Sequence, residues 1–271
     1  MRSERASIHD LVLGGAVEHS TARRQFRRRP GVYGMATSPS DRKFIAFMIS
    51  VSGVAKTDCV LELACGSGAT TLAFAERCGH AIGVDLAQEP LQVARRAAAD
   101  RGINNVDFIL SEFERLSFDD GVFNGALCRF SFHHIVNPPR VFAQLARVVA
   151  AGGWMVIADM VASEDPAKAE FHNQMERLCD PTHSRTLPGS EFERMFAQHG
   201  FRTALKVERD ARLTLEDWIR FGGASPENAA KLRELAALAV DQDRAGLKFT
   251  RDGDQMRLVH NSVSFVIEKE S

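Results

Sequence analysis

The sequence predicts an α/β fold, a mostly parallel sheet with helices on both faces. Three observations predict it. Between residues 58 and 151, apolar runs of strand length alternate with helical patterns, the signature of a parallel sheet. The first run, Val60-Leu61-Glu62-Leu63, leads straight into Ala64-Cys65-Gly66-Ser67-Gly68, a strand followed by a tight glycine turn. A helical pattern follows at once, with Leu72, Phe74 and Ala75 on one side. In an open α/β sheet a ligand sits at such a turn, at the carboxyl end of the first strand. A side chain at the glycines would hold the backbone away from it.

Residues 1–53 precede the first strand and read as a helical unit, with the main domain at 54–271. Residues 17–29 are charged with few apolar positions, and Pro30-Gly31 ends them. The cluster Arg23, Arg24, Arg27, Arg28 and Arg29 reads as a solvated helix face. Tyr33, the single tyrosine, lies in a turn at 31–34, either packed at the surface or capping the ligand pocket. Ser38-Pro39 opens a helix with Asp41 in its first turn and Phe44, Ile45, Phe47, Met48 and Ile49 on its apolar face. Strands are expected at 59–63, 81–85, 106–110, 123–130 and 154–160, with a helix over 88–100. Asn137-Pro138 opens another helix, which Gly152-Gly153 stops. Helical patterns then cover 167–178, 188–199 and 214–242, with strands at 201–209 and 256–267.

The 271 residues are 45% hydrophobic and 25% charged, an ordinary globular composition that fits one large domain with a small lid. A net charge of −1 suggests no nucleic-acid or membrane partner. Five cysteines without a C-x-x-C pair point to reduced thiols and a cytoplasmic protein, not to a disulfide framework or zinc site. No apolar run approaches the ~20 residues of a membrane span, and the polar N-terminus shows no signal peptide.

The glycine turn constrains its ligand. A dinucleotide turn reads G-x-G-x-x-G, but Thr71 stands where the third glycine would be, and no lysine follows as a P-loop requires. Glu62 at the strand's end would repel a pyrophosphate and welcome an ammonium or sulfonium. With Glu62-x-Ala64-x-Gly66-x-Gly68, the sequence resembles the class I S-adenosylmethionine (SAM) dependent methyltransferases, whose first motif is acidic-x-Gly-x-Gly-x-Gly. Ala64 replaces the first glycine, which adds a methyl group near the methionine end. The segment from Cys128-Arg129-Phe130-Ser131-Phe132-His133-His134 to Gly152-Gly153 resembles the subfamily of the ubiquinone and menaquinone C-methyltransferases, and so does the run Asp180-Pro181-Thr182-His183-Ser184-Arg185.

The resemblance spans roughly residues 30–268. It implies a Rossmann-like, seven-stranded sheet whose last strand lies antiparallel between the fifth and sixth. It also implies a helical lid built from 1–53 and from an insertion at 162–200, with SAM as cofactor and S-adenosylhomocysteine as product. Glu62, Ala64, Cys65, Gly66 and Gly68 would line the methionine end, with Tyr33 and Arg129 beside it. Asp85, about twenty residues past the turn, suits a carboxylate that accepts both ribose hydroxyls, with Leu86 next to it; the alternative is a helix N-terminal acid. Glu112 matches the acid that accepts from the adenine amino group, and Phe113 the residue whose backbone contacts the ring; the alternative for Glu112 is an exposed loop acid.

His133 and His134, at a sheet's carboxyl edge, can take a proton from a nucleophile or orient SAM or substrate. Phe132, Asp180, His183 and Arg185 are the candidate substrate contacts. The other reading of that loop is self-capping, with Asp180 bonding backbone and pairing with Arg185. No metal is expected, for no further ligand is spaced to match the histidines. The expected partners are a small, partly hydrophobic acceptor, methylated at carbon or oxygen in quinone, terpenoid or polyketide chemistry, and a homodimer mate at 214–242. A SAM-binding cyclase that transfers no methyl group carries the same motifs. An NAD-dependent dehydrogenase disagrees with Glu62 and Thr71, and protein or RNA methylation with the absence of an Asn-Pro-Pro-Tyr type motif and a basic face.

Overall fold

The computed structural model describes residues 39–240 and 242–271. Tyr33, the arginine cluster and most of the expected 1–53 unit lie outside them. The chain runs α1 (Pro39–Ser52), β1 (Cys59–Leu63), α2 (Ala69–Ala75), β2 (His80–Asp85), α3 (Gln88–Asp100), β3 (Val106–Leu110), β4 (Phe123–Arg129), α4 (Pro138–Val148) and β5 (Val149–Met160). It continues through α5 (Pro166–Cys179), α6 (Gly189–Gln198), β6 (Phe201–Thr214), α7 (Leu215–Gly222), α8 (Pro226–Ala239), β7 (Thr250–Asp252) and β8 (Gln255–Lys269).

The sheet order is β3-β2-β1-β4-β5-β8-β6, with β7 paired to β8 beyond that path. The first five strands of the path are parallel, and β8 runs antiparallel to β5 and β6. This is the expected Rossmann-like sheet, with the last strand between the fifth and sixth. Its register brings the carboxyl ends of β1, β2, β4 and β5 to one edge: Leu63 pairs Val84 and Cys128, and Arg129 pairs Ala158.

Strand period two decides which side chain faces which helix layer. On one face, Leu61 and Leu63 pack with Phe142 and Leu145 of α4 and Phe192 and Phe196 of α6. On the other, Val60, Leu127 and Val156 pack with Met48 of α1 and Phe74 of α2. Glu62 therefore points to the α2 side. A satellite core joins Met175 and Cys179 of α5 to Trp218 and Ile219 of α7, Leu232 and Ala236 of α8, and Leu258 of β8. Cys65, Cys78, Cys128 and Cys179 are buried and Cys59 is half-buried, all as free thiols.

Several boundaries differ from expectation. The helix at 214–242 is two helices, because Gly223 adopts φ 77° and Ser225 caps a new start, its Oγ accepting from Asn228 N at 3.2 Å. β5 begins at Val149, five residues early, running through Gly152 and Gly153. Gly125 opposite Trp154 has room for the indole only because it lacks a Cβ, which would lie 2.2 Å from it. β6 is longer than expected, and the hairpin of β7 with β8 was not foreseen. Within 162–200, α6 packs on the sheet through Phe192, Met195 and Phe196. α7 and α8 expose Phe221 and Leu238. Among the described residues no helix is long and apolar enough to cross a membrane.

Candidate active site

The turn after β1 is held by its own backbone. Cys65 N donates to Val84 O at 3.0 Å, and Gly68 N donates to Cys65 O at 2.9 Å. The two glycines serve different ends. A Cβ on Gly66 (φ 52°) would meet nothing within 4 Å, so this residue faces open space. A Cβ on Gly68 (φ 81°) would lie 2.8 Å from Ala94 Cβ and from the Phe108 ring, so this glycine lets α3 and β3 pack close. Ala64 sits at φ 56°, in the left-handed region. Its methyl group is thus more than an addition near the ligand: the backbone there favours glycine. The Cys65 side chain turns into a core patch with Leu72, Leu91 and Phe108, so its backbone is the part at the turn.

Asp85, at the end of β2, ties this turn to the next. Its Oδ2 accepts from Gly66 N at 2.8 Å and its Oδ1 from Ala87 N at 2.9 Å. Burial pushes its pKa up against the pull of those backbone donors. Leu86 is half-buried against the main core. Glu62 is buried and accepts the Thr71 hydroxyl. Burial raises its pKa to about 7, outweighing Thr71 and the nearby charge of Arg129. Thr71, where a dinucleotide turn would have glycine, is thus a partner for the strand-end acid. Arg129 Nε donates to Thr70 Oγ1 at 3.2 Å and its Nη1 lies 3.5 Å from Asp41 Oδ1, so it joins β4 to α1 and α2. After β3, Glu112 Oε1 is buried with no hydrogen-bond partner among the described residues, while Phe113 is packed into the main core.

A second group of side chains stands at the same edge, after β4. A short 3₁₀ turn, Phe132–His134, places His133 Nδ1 2.5 Å from Asp159 Oδ1 on β5. Asp159 also accepts from Phe132 N at 2.6 Å, Met160 N at 2.7 Å and Ser131 N at 3.0 Å. Burial alone would lower the His133 pKa, but the charge and hydrogen bond of Asp159 outweigh it and hold it above the ordinary imidazole value. Burial works the other way on Asp159, whose pKa the same pair holds down. The His134 ring lies 4.1 Å from that of His133 between centroids. Burial, then the charge of His133, lowers the His134 pKa to about 4. Its Nδ1 is 3.2 Å from the carbonyl of Thr182, which can only accept, so Nδ1 carries the proton and Nε2 the lone pair.

Residues 180–188 dock onto this turn. Ser184 N and Arg185 N donate to His133 O at 2.8 and 3.1 Å, and the His183 ring stacks 5.7 Å from His133. His183 Nε2 lies 2.9 Å from Asn173 Oδ1 on α5, and burial drops its pKa to about 3, leaving it neutral. Asp180 caps the loop, accepting from Thr182 N at 2.8 Å and Thr182 Oγ1 at 2.6 Å. Arg185 pairs with Glu191 at 2.6 and 2.9 Å, not with Asp180, and is directed to α6. Phe132 is fully buried against Phe192. Sequence reasoning missed Asp159 and Asn173. Asp159 had a signal, an acid inside an apolar strand near the sheet edge; Asn173, inside a helix, had none.

The description "Methyltransferase domain" matches residues 61–157 of the chain. The uncharacterised methyltransferase YcgJ of Bacillus subtilis is 31% identical over 185 residues, covering 68% of this chain and 73% of that protein. This chain is a member of the class I SAM-dependent methyltransferases. The crystal structure of YcgJ superposes on this methyltransferase with a TM-score of 0.79 at 27% identity, covering 85% of this chain and 99% of that one. The demethylmenaquinone methyltransferase of Clavibacter sepedonicus is 25% identical over 180 residues, covering 66% of this chain and 71% of its own. The [4+2]-cyclase SpnF has a TM-score of 0.57 at 16% identity over 88% of this chain and 84% of its own, a likeness of fold. The methyltransferase's cofactor is SAM, and the residues present fit it. Gly66 leaves space at the turn, and Glu112 Oε1 is a buried acceptor without a protein donor among the described residues, which suits an amino group such as adenine's.

Proposed function

We propose that this methyltransferase methylates a carbon or oxygen of a small, partly hydrophobic acceptor bearing an ionisable O–H or activated C–H. The observation that carries the reading is the pair His133 and His134, one favouring the cation and one neutral, at the sheet edge that holds the glycine turn. When bound, SAM supplies an electrophilic methyl group and leaves as S-adenosylhomocysteine.

The chain's residues divide the remaining tasks. Gly66 and Ala64 bring the backbone close to the methionine end and Glu62 favours its positive charge. Asp85, with a lone pair left beyond its backbone donors Gly66, Ala87 and Leu86, holds the ribose, with Leu86 beside it. Glu112 and the Phe113 backbone hold the adenine. Arg129 fixes α1 and α2 around the pocket. His134 Nε2 would take the proton that the acceptor's O–H or C–H gives up. The charge of His133 steadies the acceptor's oxygen as it becomes anionic. His183 and the Asp180 turn face the acceptor, and α5 with residues 180–188 excludes water. A phenolic or quinol ring has the planar apolar body and O–H that such a site suits, in keeping with the demethylmenaquinone relative.

The test is purified protein with methyl-labelled SAM and a panel of hydroquinones, phenols and prenylated acceptors. Products heavier by one methyl group, lost in His134→Ala with SAM affinity retained, are expected. Products of unchanged mass with SAM consumed by none of them would replace the reading with the cyclase alternative.

A further inference from the structure

Three buried side chains converge beyond the histidine pair. His172 and Glu176 lie one turn apart on α5, and His260 comes from β8. His172 Nε2 is 3.1 Å from Glu176 Oε1, and His260 Nε2 is also 3.1 Å from that oxygen. All three ligand atoms lie within 4.8 Å of one another. The side chains keep 2%, 4% and 9% of their surface.

The two imidazoles are not equivalent. His172 forms a hydrogen bond to the carboxylate. His260 Nε2 makes an ion-pair contact with the same oxygen at 3.1 Å, but off the hydrogen-bonding direction, so it forms no hydrogen bond. A buried polar nitrogen left unsatisfied is costly and needs an explanation. A cation that accepts its lone pair supplies one.

We propose that His172, Glu176 and His260 form a site for a divalent transition-metal ion, Zn²⁺ by donor set. Two imidazole nitrogens and one carboxylate oxygen are the ligands of His₂Glu zinc sites. Tetrahedral bonds of about 2.0–2.1 Å require donors roughly 3.3 Å apart, close to the 3.1 Å from each imidazole nitrogen to Glu176 Oε1. Among the described residues no fourth His, Cys, Asp or Glu joins the group, so one position is left for water or a small ligand. Trp218, ring edge-on to His260 at 5.2 Å, gives the apolar surround that strengthens such a site. The ion would clamp α5 to β8. α5 also carries Asn173, which holds His183, so the clamp fixes the face of α5 that supports residues 180–188.

The test is chelator-stripped full-length protein titrated with ZnCl₂ alone by calorimetry, with MgCl₂ as comparison and His260→Gln and His172→Gln as variants. One Zn²⁺ per chain is expected, with Mg²⁺ ineffective because it prefers oxygen donors. The variants should weaken binding by more than about a hundredfold, since even outer partners of a metal ligand are worth about 10–100-fold. Co²⁺ added to the wild-type protein should give the intense visible absorption of a four-coordinate ion, a readout that survives if a variant fails to fold. No Zn²⁺ uptake, equal uptake by folded variants, or a weak six-coordinate Co²⁺ spectrum would overturn the proposal.

Discussion

His133 Nδ1 lies 2.5 Å from Asp159 Oδ1, within a carboxylate that also accepts three backbone N–H groups. The pair stabilises the fold in a defined pH window. Asp159, held below the ordinary carboxylate value, contributes above it and loses this as pH falls through its lowered pKa. His133, held above the ordinary value of about 6.5, contributes below it and loses this as pH rises through its raised pKa. Asp159→Asn should cost about 3–5 kcal/mol near neutrality, as for a broken buried pair. The gap from wild type should narrow at alkaline pH. Urea unfolding at about pH 6 and about pH 9 measures both, and a gap that widens with pH would mean the pair is not ionised.

Glu62 titrates near neutrality, with a pKa of about 7. Because this is raised from an unfolded value of about 4.3, its contribution to stability is full below that value and fades as pH rises through about 7. A sulfonium or ammonium favours the carboxylate, so SAM binding near pH 7 should release protons and tighten as pH rises. Calorimetry in two buffers of different ionisation enthalpy reads the proton count. Glu62→Gln should abolish it, and proton uptake by the wild type would contradict the placement of Glu62.

Ala64 holds φ 56° on an L-residue. The left-handed conformation costs roughly 1–2 kcal/mol for a side-chain-bearing residue, part of which glycine's greater unfolded-state freedom offsets. Ala64→Gly should therefore stabilise the protein by about 0.5–1 kcal/mol without loss of SAM affinity. A thermal melt that falls would show that the methyl group has a packing role.

The sheet was legible because its code is local: strand runs, glycine stops and proline starts lie next to each other in the chain. Strands β1 and β3 and helix α3 fell where the pattern put them. Asp85 was legible by its distance from Gly66, and the structure joins the two by a hydrogen bond. The second half of the site was not, because its partners are remote. His133 needs Asp159, His183 needs Asn173 and His172 needs His260, and side-chain pairs across elements leave no period in the sequence. A 3₁₀ turn sends adjacent side chains in different directions, so Phe132 goes to the core while His133 meets Asp159.

The five cysteines have a practical consequence. Burial raises all five thiol pKa values, Cys78 to about 11 and Cys65 and Cys128 well above the ordinary range. An alkylating reagent reacts with the thiolate, so in the folded protein the four buried sulfurs should react slowly. Each marks a different layer: Cys65 lies beneath the glycine turn, Cys128 on the central strand and Cys179 at the junction of α5 and α7. Timed alkylation read by peptide mass thus gives this protein an internal clock, recording which layer opens first and which a bound cofactor keeps shut.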